Sequence, residues 1–355
     1  MSRRLLALLA LLLVAHASLG AARPPVPVQQ KYGDWTVACD NLRNCSAQGY
    51  RVQDAGGAQA GLWLSRDAGP QGAVHVQLHL SSPDGQELPD GSRVQVHIDG
   101  REFKRLPLDG DLPSAAVRPL LAAMIEADEL TLTGSASEAT VSLQGLKAAL
   151  LKMDDVQGRV GTVSAWVAKG KGGASQVPAA IPAPVLTPAA APSIVDADAA
   201  LPWVRQLVRH PAVIQDCYLL QEDSGAASSL PNTSLYQVRP QEFLVLMECA
   251  RAAYQTSYRL WRMKQRPGGL DIAPEVLPDV GEPALDLMNA DFHAGELSTW
   301  HKGRGLGDCG GGRRWTWTAT GFALRHAHEA PDCNGIFEGG MGLVLWQAEV
   351  KATKP

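Results

Sequence analysis

The strongest constraint on this chain is the combination of an export signal with six cysteines. Two arginines at 3 and 4 form a charged start, an apolar stretch of eleven residues follows at 5–15, and residues 18–20 provide a small-x-small cleavage site. The sequence therefore predicts a signal peptide at 1–20 and a periplasmic or secreted mature chain. Eleven apolar residues are too few to span a bilayer, which disfavours a retained membrane anchor.

Export places the cysteines in an oxidising compartment, where thiols pair by default. They form three pairs that are local in the sequence, and we predict a disulfide for each: Cys39 with Cys45, Cys217 with Cys249, and Cys309 with Cys333. Such a bond stabilises a protein by about 2–4 kcal/mol, because it restricts the unfolded chain. Zinc is the rival interpretation, but the C-x2-C spacings that structural zinc sites favour do not occur.

The charge of the chain is nearly balanced, with 32 Lys plus Arg against 36 Asp plus Glu. Proteins that bind nucleic acid or anionic membranes through phosphates need an excess of cations on one face. We therefore predict no nucleic-acid partner and, after signal cleavage, no integral membrane segment.

A change of composition divides the chain. Residues 169–200 contain ten Ala, five Pro and three Gly, and they show neither strand alternation nor a helical apolar stripe. This composition is typical of a linker. We expect it to join an N-terminal β-rich domain at 21–168 to a C-terminal, Trp-rich β domain at 201–355.

The N-terminal segment alternates apolar and polar residues at 35–39, 74–80 and 94–98, as half-buried strands do. Apolar residues recur at helical spacing at 117–125 and 146–153. The predicted class is mainly β (α+β), with two disulfide-stapled antiparallel-sheet domains and a few helices.

The C-terminal segment begins with a predicted helix at 201–210, which Pro211 ends. Strands are predicted at 241–249, 253–261 and 314–324. In the last of these the apolar phase changes after Trp317, and we expect a bulge at Gly321 to produce this change.

Three motifs carry a family resemblance: DWTVACDNLRNC at 34–45, LSRDAGP at 64–70, and KGRGLGDCG at 302–310 with two Trp downstream. The chain resembles the exported bacterial family called domain of unknown function 1176. Its N-terminal half is also similar to the invasion-associated locus B family, through the strand at 35–39 and the segment at 141–154. The resemblance implies an exported protein with paired cysteines, and it implies no established reaction, cofactor or catalytic residue.

Residues 305–310 match G-x-G-x-x-G, but the segment that follows reads as a strand, which favours a disulfide-tied turn over a dinucleotide-binding loop. Several charged residues lie in and around this turn, and their side chains could bind an anion. Trp residues next to Arg on a strand could stack on a sugar or contact a partner protein. The candidate binding residues are Trp300, Lys302, Arg304, Asp308, Trp315 and Trp317.

The sequence gives less support to a metal site or a catalytic site. The histidines at 75, 79, 97, 326 and 328 are interpreted as polar faces of strands, and Asp154 with Asp155 as a solvated helix end. Neither G-x-S-x-G nor S-x-x-K occurs. We therefore predict no metal, no cofactor and no catalytic residue.

These observations favour a non-enzymatic envelope protein that binds a glycan, a peptide or a protein. The alternative is a cell-wall or glycan hydrolase whose carboxylate site lies near Asp308.

Overall fold

The structure is a computed structural model that describes residues 26–352, apart from 51–56, 85, 87, 90, 109, 135–136, 222–229 and 336–341. The predicted signal peptide lies outside the described residues. The elements up to residue 156 are β1 (Val28–Tyr32), β2 (Trp35–Cys39), β3 (Cys45–Tyr50), β4 (Ala60–Arg66), β5 (Val74–Leu80), β6 (Arg93–Ile98), β7 (Arg101–Pro107), α1 (Ser114–Met124), β8 (Glu129–Thr133), β9 (Glu138–Ser142) and α2 (Leu146–Val156).

Two antiparallel sheets form this part of the protein. β1 to β5 pair in chain order, and the second sheet has the order β7-β6-β8-β9. The alternating residues predicted at 74–80 and 94–98 bury every second side chain, as a sheet with one face on the core requires. Both predicted helices are present, and α1 and α2 add their apolar faces to the same core.

The remaining elements are β10 (Val185–Leu186), β11 (Ser193–Ile194), α3 (Ala197–Leu207), α4 (Pro211–Asp216), β12 (Thr233–Arg239), β13 (Glu242–Arg251), β14 (Thr256–Arg266), β15 (Gly269–Pro274), β16 (Leu287–Met288), β17 (Asp291–His293), β18 (Glu296–Lys302), β19 (Gly310–Thr318), β20 (Gly321–Ala330), β21 (Leu343–Gln347) and β22 (Glu349–Val350). Short 3-10 turns lie at Ala174–Gln176 and Tyr218–Leu220.

Two further antiparallel sheets follow, one of six strands and one of five. One contains β11 to β15 in chain order with β16 beside β14, and the other contains β17 to β21 in chain order. α3 and α4 pack on the first sheet over a core that includes Trp261. The predicted fold class is therefore confirmed: the protein is mainly β, with antiparallel sheets and few helices.

The prediction of one continuous strand at 314–324 is wrong. This segment forms a hairpin of β19 and β20 joined at 319–320, with Thr318 opposite Gly321. Gly321 has φ +116° and serves the turn, whereas the register shift lies between Arg314 and Trp315. The apolar phase changes because the chain reverses. Pro211 does not end the predicted helix at 201–210, because α3 spans Ala197–Leu207 and Pro211 is the first residue of α4.

All three predicted disulfides are present: Cys39–Cys45, Cys217–Cys249 and Cys309–Cys333. The first joins directly opposite residues of the β2–β3 hairpin. The second ties the end of α4 to β13, and the third ties the glycine turn before β19 to the segment after β20.

The Ala/Pro-rich segment is attached to the C-terminal sheets. β10 pairs in parallel with β22, and the backbone N–H of Ala189 donates to the carbonyl of Trp317 at 3.0 Å. The N-terminal sheet also touches the C-terminal part, because Ala38 and Trp63 pack into the hydrophobic cluster that contains Trp315. The division into two domains remains a prediction.

None of the helices in the described part of the chain has the length and apolar character that crossing a membrane requires.

Candidate functional site

The glycine turn at 303–310 is organised around one buried carboxylate. Asp308 is fully buried, and its Oδ1 accepts a hydrogen bond from Nε of Arg304 at 2.7 Å. Its Oδ2 accepts from Nη2 of Arg304 at 2.5 Å and from the backbone N–H of Gly335 at 2.6 Å. The carboxylate therefore joins the turn to the segment that carries Cys333.

Electrostatics keep this carboxylate ionised. Burial alone would raise the pKa of Asp308, but the hydrogen bonds from Arg304 and Gly335 and the positive charge of Arg304 outweigh burial and lower its pKa. A general acid at neutral pH needs a raised pKa, so that it holds a proton to donate. Asp308 has the lowered pKa and the bonded oxygens of a structural carboxylate.

Two predicted binding residues are not on the surface. The side chains of Trp315 and Trp317 are buried in the second hydrophobic cluster, and the indole N–H of Trp315 donates to the carbonyl of Pro278 at 2.6 Å. Both belong to the face of β19 that packs on the core. The expectation that Trp315 stacks on a ligand is therefore wrong, because a buried ring presents no face to one.

Trp300 and Lys302, by contrast, lie on the opposite face of this sheet. The Trp300 side chain is 48% exposed, and Nζ of Lys302 lies 5.9 Å from the centroid of its ring. Gln255 holds the end of β18 in place: its side-chain amide donates to the carbonyl of Lys302 at 3.0 Å and accepts from the backbone N–H of Lys302 at 2.8 Å. Its neighbour Tyr254, 68% exposed, contacts Gly305.

The register extends this face across three strands. Trp300 of β18, Gly312 of β19 and His328 of β20 are directly opposite one another and therefore share a face. A Cβ on Gly312 would approach Cε1 of His328 to 2.8 Å, so the imidazole occupies the space that the glycine leaves. We define the Trp300 surface as Trp300, Lys302, Gly312, Arg314 and His328.

The imidazole of this surface is neutral at pH 7. Burial is the main cause that lowers the pKa of His328, and the charges of His326, Arg313 and Arg314 lower it further, against an opposing effect of Glu329. Nδ1 of His328 is buried without a hydrogen-bond partner among the described residues. A neutral imidazole offers one donor and one acceptor, which suits a ligand with hydroxyl groups.

The described residues contain one group of potential metal ligands, formed by Asp308, Cys309 and Cys333. It does not fit a metal ion, because the two sulfurs are bonded to each other and are not thiolates. His75 pairs with Asp111 instead, through Nδ1 and Oδ2 at 2.6 Å.

Asp154 is not the solvated helix end that the sequence indicated. It is fully buried, and its Oδ2 accepts hydrogen bonds from the backbone N–H groups of Trp166 at 2.7 Å and Val167 at 3.2 Å. Arg66 donates to its Oδ1 at 3.4 Å. This network is not visible in the sequence, because Arg66 at the end of a strand is its sole local signal and its partner Asp154 lies about 90 residues away.

Comparison with known proteins gives a matching family, a similar bacterial protein and a structure with partial similarity. The profile of the family described as "Protein of unknown function (DUF1176)" matches residues 29–349. "Uncharacterized protein YpfG" of Escherichia coli (strain K12) is 29% identical over 342 residues, which cover 90% of this chain and 93% of that protein. The crystal structure of invasion associated protein B from Bartonella henselae matches 37% of this chain and 99% of that chain, at 17% identity and a TM-score of 0.27.

Proposed function

Given that the chain belongs to the DUF1176 family, as its sequence motifs predicted, we propose that it is an exported, non-enzymatic envelope protein that binds a glycan at the Trp300 surface. The observation that carries the proposal is the half-exposed ring of Trp300 on the sheet face, where its cross-strand partner is Gly312.

The chemistry of this surface suits a sugar. An exposed indole stacks on the apolar face of a pyranose. The imidazole of His328 fills the space above Gly312 and lies beside the indole on the same sheet face. Lys302, Arg314 and the neutral His328 supply donors and an acceptor for hydroxyl groups at the edge. Export is supported by the signal-peptide pattern and by three disulfides, which are typical of oxidising compartments.

The hydrolase alternative draws no support from Asp308. Both oxygens of its carboxylate accept hydrogen bonds from Arg304, and its lowered pKa does not suit the general acid of a glycosidase. The fully buried side chain is also closed to a substrate that needs a nucleophile or base.

The test measures binding of the full chain to insoluble peptidoglycan by co-sedimentation and to a soluble hexamer of β-1,4-linked N-acetylglucosamine by calorimetry. Trp300→Ala is expected to weaken binding about tenfold or more, because a central aromatic contact contributes at least about 1.4 kcal/mol. Tyr218→Ala is the matched control, since Tyr218 is an aromatic residue, 53% exposed on a 3-10 turn, that does not belong to the Trp300 surface.

Equal binding by Trp300→Ala and the wild type, or no binding of either probe by the wild type, would overturn the proposal. Release of reducing ends that disappears in Asp308→Asn would replace it with the hydrolase alternative.

A further inference from the structure

The N-terminal part contains a cavity that is separate from the Trp300 surface. It has a volume of about 390 Å³, within the range of small-molecule sites, and lies between α1 and the segment 163–169. Its lining combines apolar side chains with three cations: Val117, Leu121, Ile125, Val163, Trp166, Arg66, Arg118 and Lys169.

Arg66 is the most unusual residue of this lining. Its side chain is only 8% exposed, and its guanidinium carbon lies 4.6 Å from the centroid of the Trp166 ring. Nη1 donates to Asp154 at 3.4 Å and Nη2 to the carbonyl of Ser164 at 2.9 Å. The third donor, Nε, is buried without a hydrogen-bond partner among the described residues. A buried donor without a partner is costly, so an acceptor atom of a water molecule or of a ligand is needed to satisfy it.

The charges around Arg66 do not balance. The fully buried Arg159 donates only to neutral acceptors, namely Gln157, Ser164 and the carbonyls of Asp67 and Gly69. Among the described residues, Asp154 is the carboxylate whose charge acts on both buried guanidiniums, and Arg118 and Lys169 add positive charge at the cavity. Consistent with this excess, burial, followed by Arg159 and Arg118, lowers the pKa of Arg66 to about 10 although Asp154 opposes them.

We propose that this cavity binds a small amphipathic carboxylate, with its head group at Arg66 and Arg118 and its apolar body against α1. A carboxylate supplies the acceptor that Nε of Arg66 lacks and offsets the local positive charge. Val117, Leu121 and Ile125 give the site an apolar wall, which a bare inorganic anion would leave unfilled. This site does not depend on the proposed glycan function.

The test is calorimetric titration of the full chain at pH 7 with three probes. Octanoate carries both the charge and the apolar body, octanol carries the body alone, and acetate carries the charge alone. We expect saturable binding of one octanoate per chain, with octanol and acetate at least about tenfold weaker.

Two variants locate the site. Arg118→Gln removes an exposed cation of the lining and is expected to weaken octanoate binding about tenfold. Arg105→Gln removes an exposed arginine of β7 that does not line the cavity, and it is expected to bind like the wild type. Ala122→Trp adds bulk at an exposed lining position without changing charge, and it is expected to abolish binding.

Thermal melting of each variant confirms that it is folded before titration. The proposal is overturned if octanol binds as tightly as octanoate, if octanoate does not saturate, or if folded Arg118→Gln and Ala122→Trp bind octanoate like the wild type. Loss of glycan binding in Trp300→Ala with unchanged octanoate affinity would separate the two proposals.

Discussion

Removing disulfides one at a time should destabilise the protein in the order of the loops that they close. Cys309–Cys333 spans 24 residues of sequence, whereas Cys39–Cys45 spans six and joins residues that the β2–β3 ladder already holds opposite each other. The loop-closure entropy predicts that the free energy of unfolding falls by about 3.5 kcal/mol without Cys309–Cys333 and by about 2 kcal/mol without Cys39–Cys45, at 25 °C. Both cysteines of a pair are replaced by Ala so that no free thiol remains.

The assay is thermal unfolding followed by circular dichroism. An unfolding entropy of about 2.1 cal/mol/K per residue converts about 3.5 kcal/mol into a fall in Tm of about 6 °C if some 300 residues unfold together. The fall becomes about 11 °C if a C-terminal unit of about 155 residues unfolds alone. The size of the shift therefore also tests the predicted division into domains.

One outcome would refute this reasoning: a Cys39→Ala/Cys45→Ala variant that loses as much stability as the Cys309→Ala/Cys333→Ala variant. Limited proteolysis gives a second readout, because loss of Cys309–Cys333 should expose residues 302–312 to cleavage. An unchanged digestion pattern there would contradict the structural role of this bond.

Three other substitutions probe the interior. Asp154→Asn should lower the free energy of unfolding in urea by about 3 kcal/mol, since it leaves Arg66 without its buried counter-ion, whereas the exposed Asp155→Asn should change it by less than about 0.5 kcal/mol. Gly49→Ala should cost about 2 kcal/mol by the same assay, because the new methyl group would lie 2.2 Å from the ring of Trp35; a cost near zero would show that the ring moves freely. His328 has a lower pKa in the folded state than in the unfolded chain, where it is about 6.5. As the pH falls below about 6.5, the unfolded chain therefore binds more protons than the folded protein, and the folded protein loses stability. His328→Gln should therefore reduce the fall in Tm between pH 7.5 and pH 5, and an unchanged pH profile would contradict this assignment.

The sequence predicted those features that depend on short-range patterns. Strands with strict alternation, such as 74–80, and the three sequence-local cysteine pairs were predictable because the interactions that fix them lie close together in the chain. The hairpin at 318–321 was not, because Thr-Ala-Thr-Gly lacks the Asn-Gly or Asp-Gly pair that usually marks a two-residue turn.

The candidate sites were only partly predictable for a related reason. Trp300 and Lys302 were identified because they lie close in sequence to the charged glycine turn, but the burial of Trp315 and Trp317 depends on which sheet face meets the core. The cavity could not be predicted, since Arg66 and Arg118 come together only through packing of α1 against a segment that follows α2.

The packing of Ala38 and Trp63 against the C-terminal cluster has a consequence for any attempt to produce the halves separately. Asn41 and Gln347 reinforce this seam through two hydrogen bonds of 2.9 and 3.0 Å, and Lys31 pairs with Asp332 across it. A fragment that ends at residue 168 would expose Trp63 to water. The remaining C-terminal fragment would expose the apolar cluster against which Ala38 and Trp63 pack. Each fragment alone should aggregate, whereas the two expressed together should reassociate as a split protein.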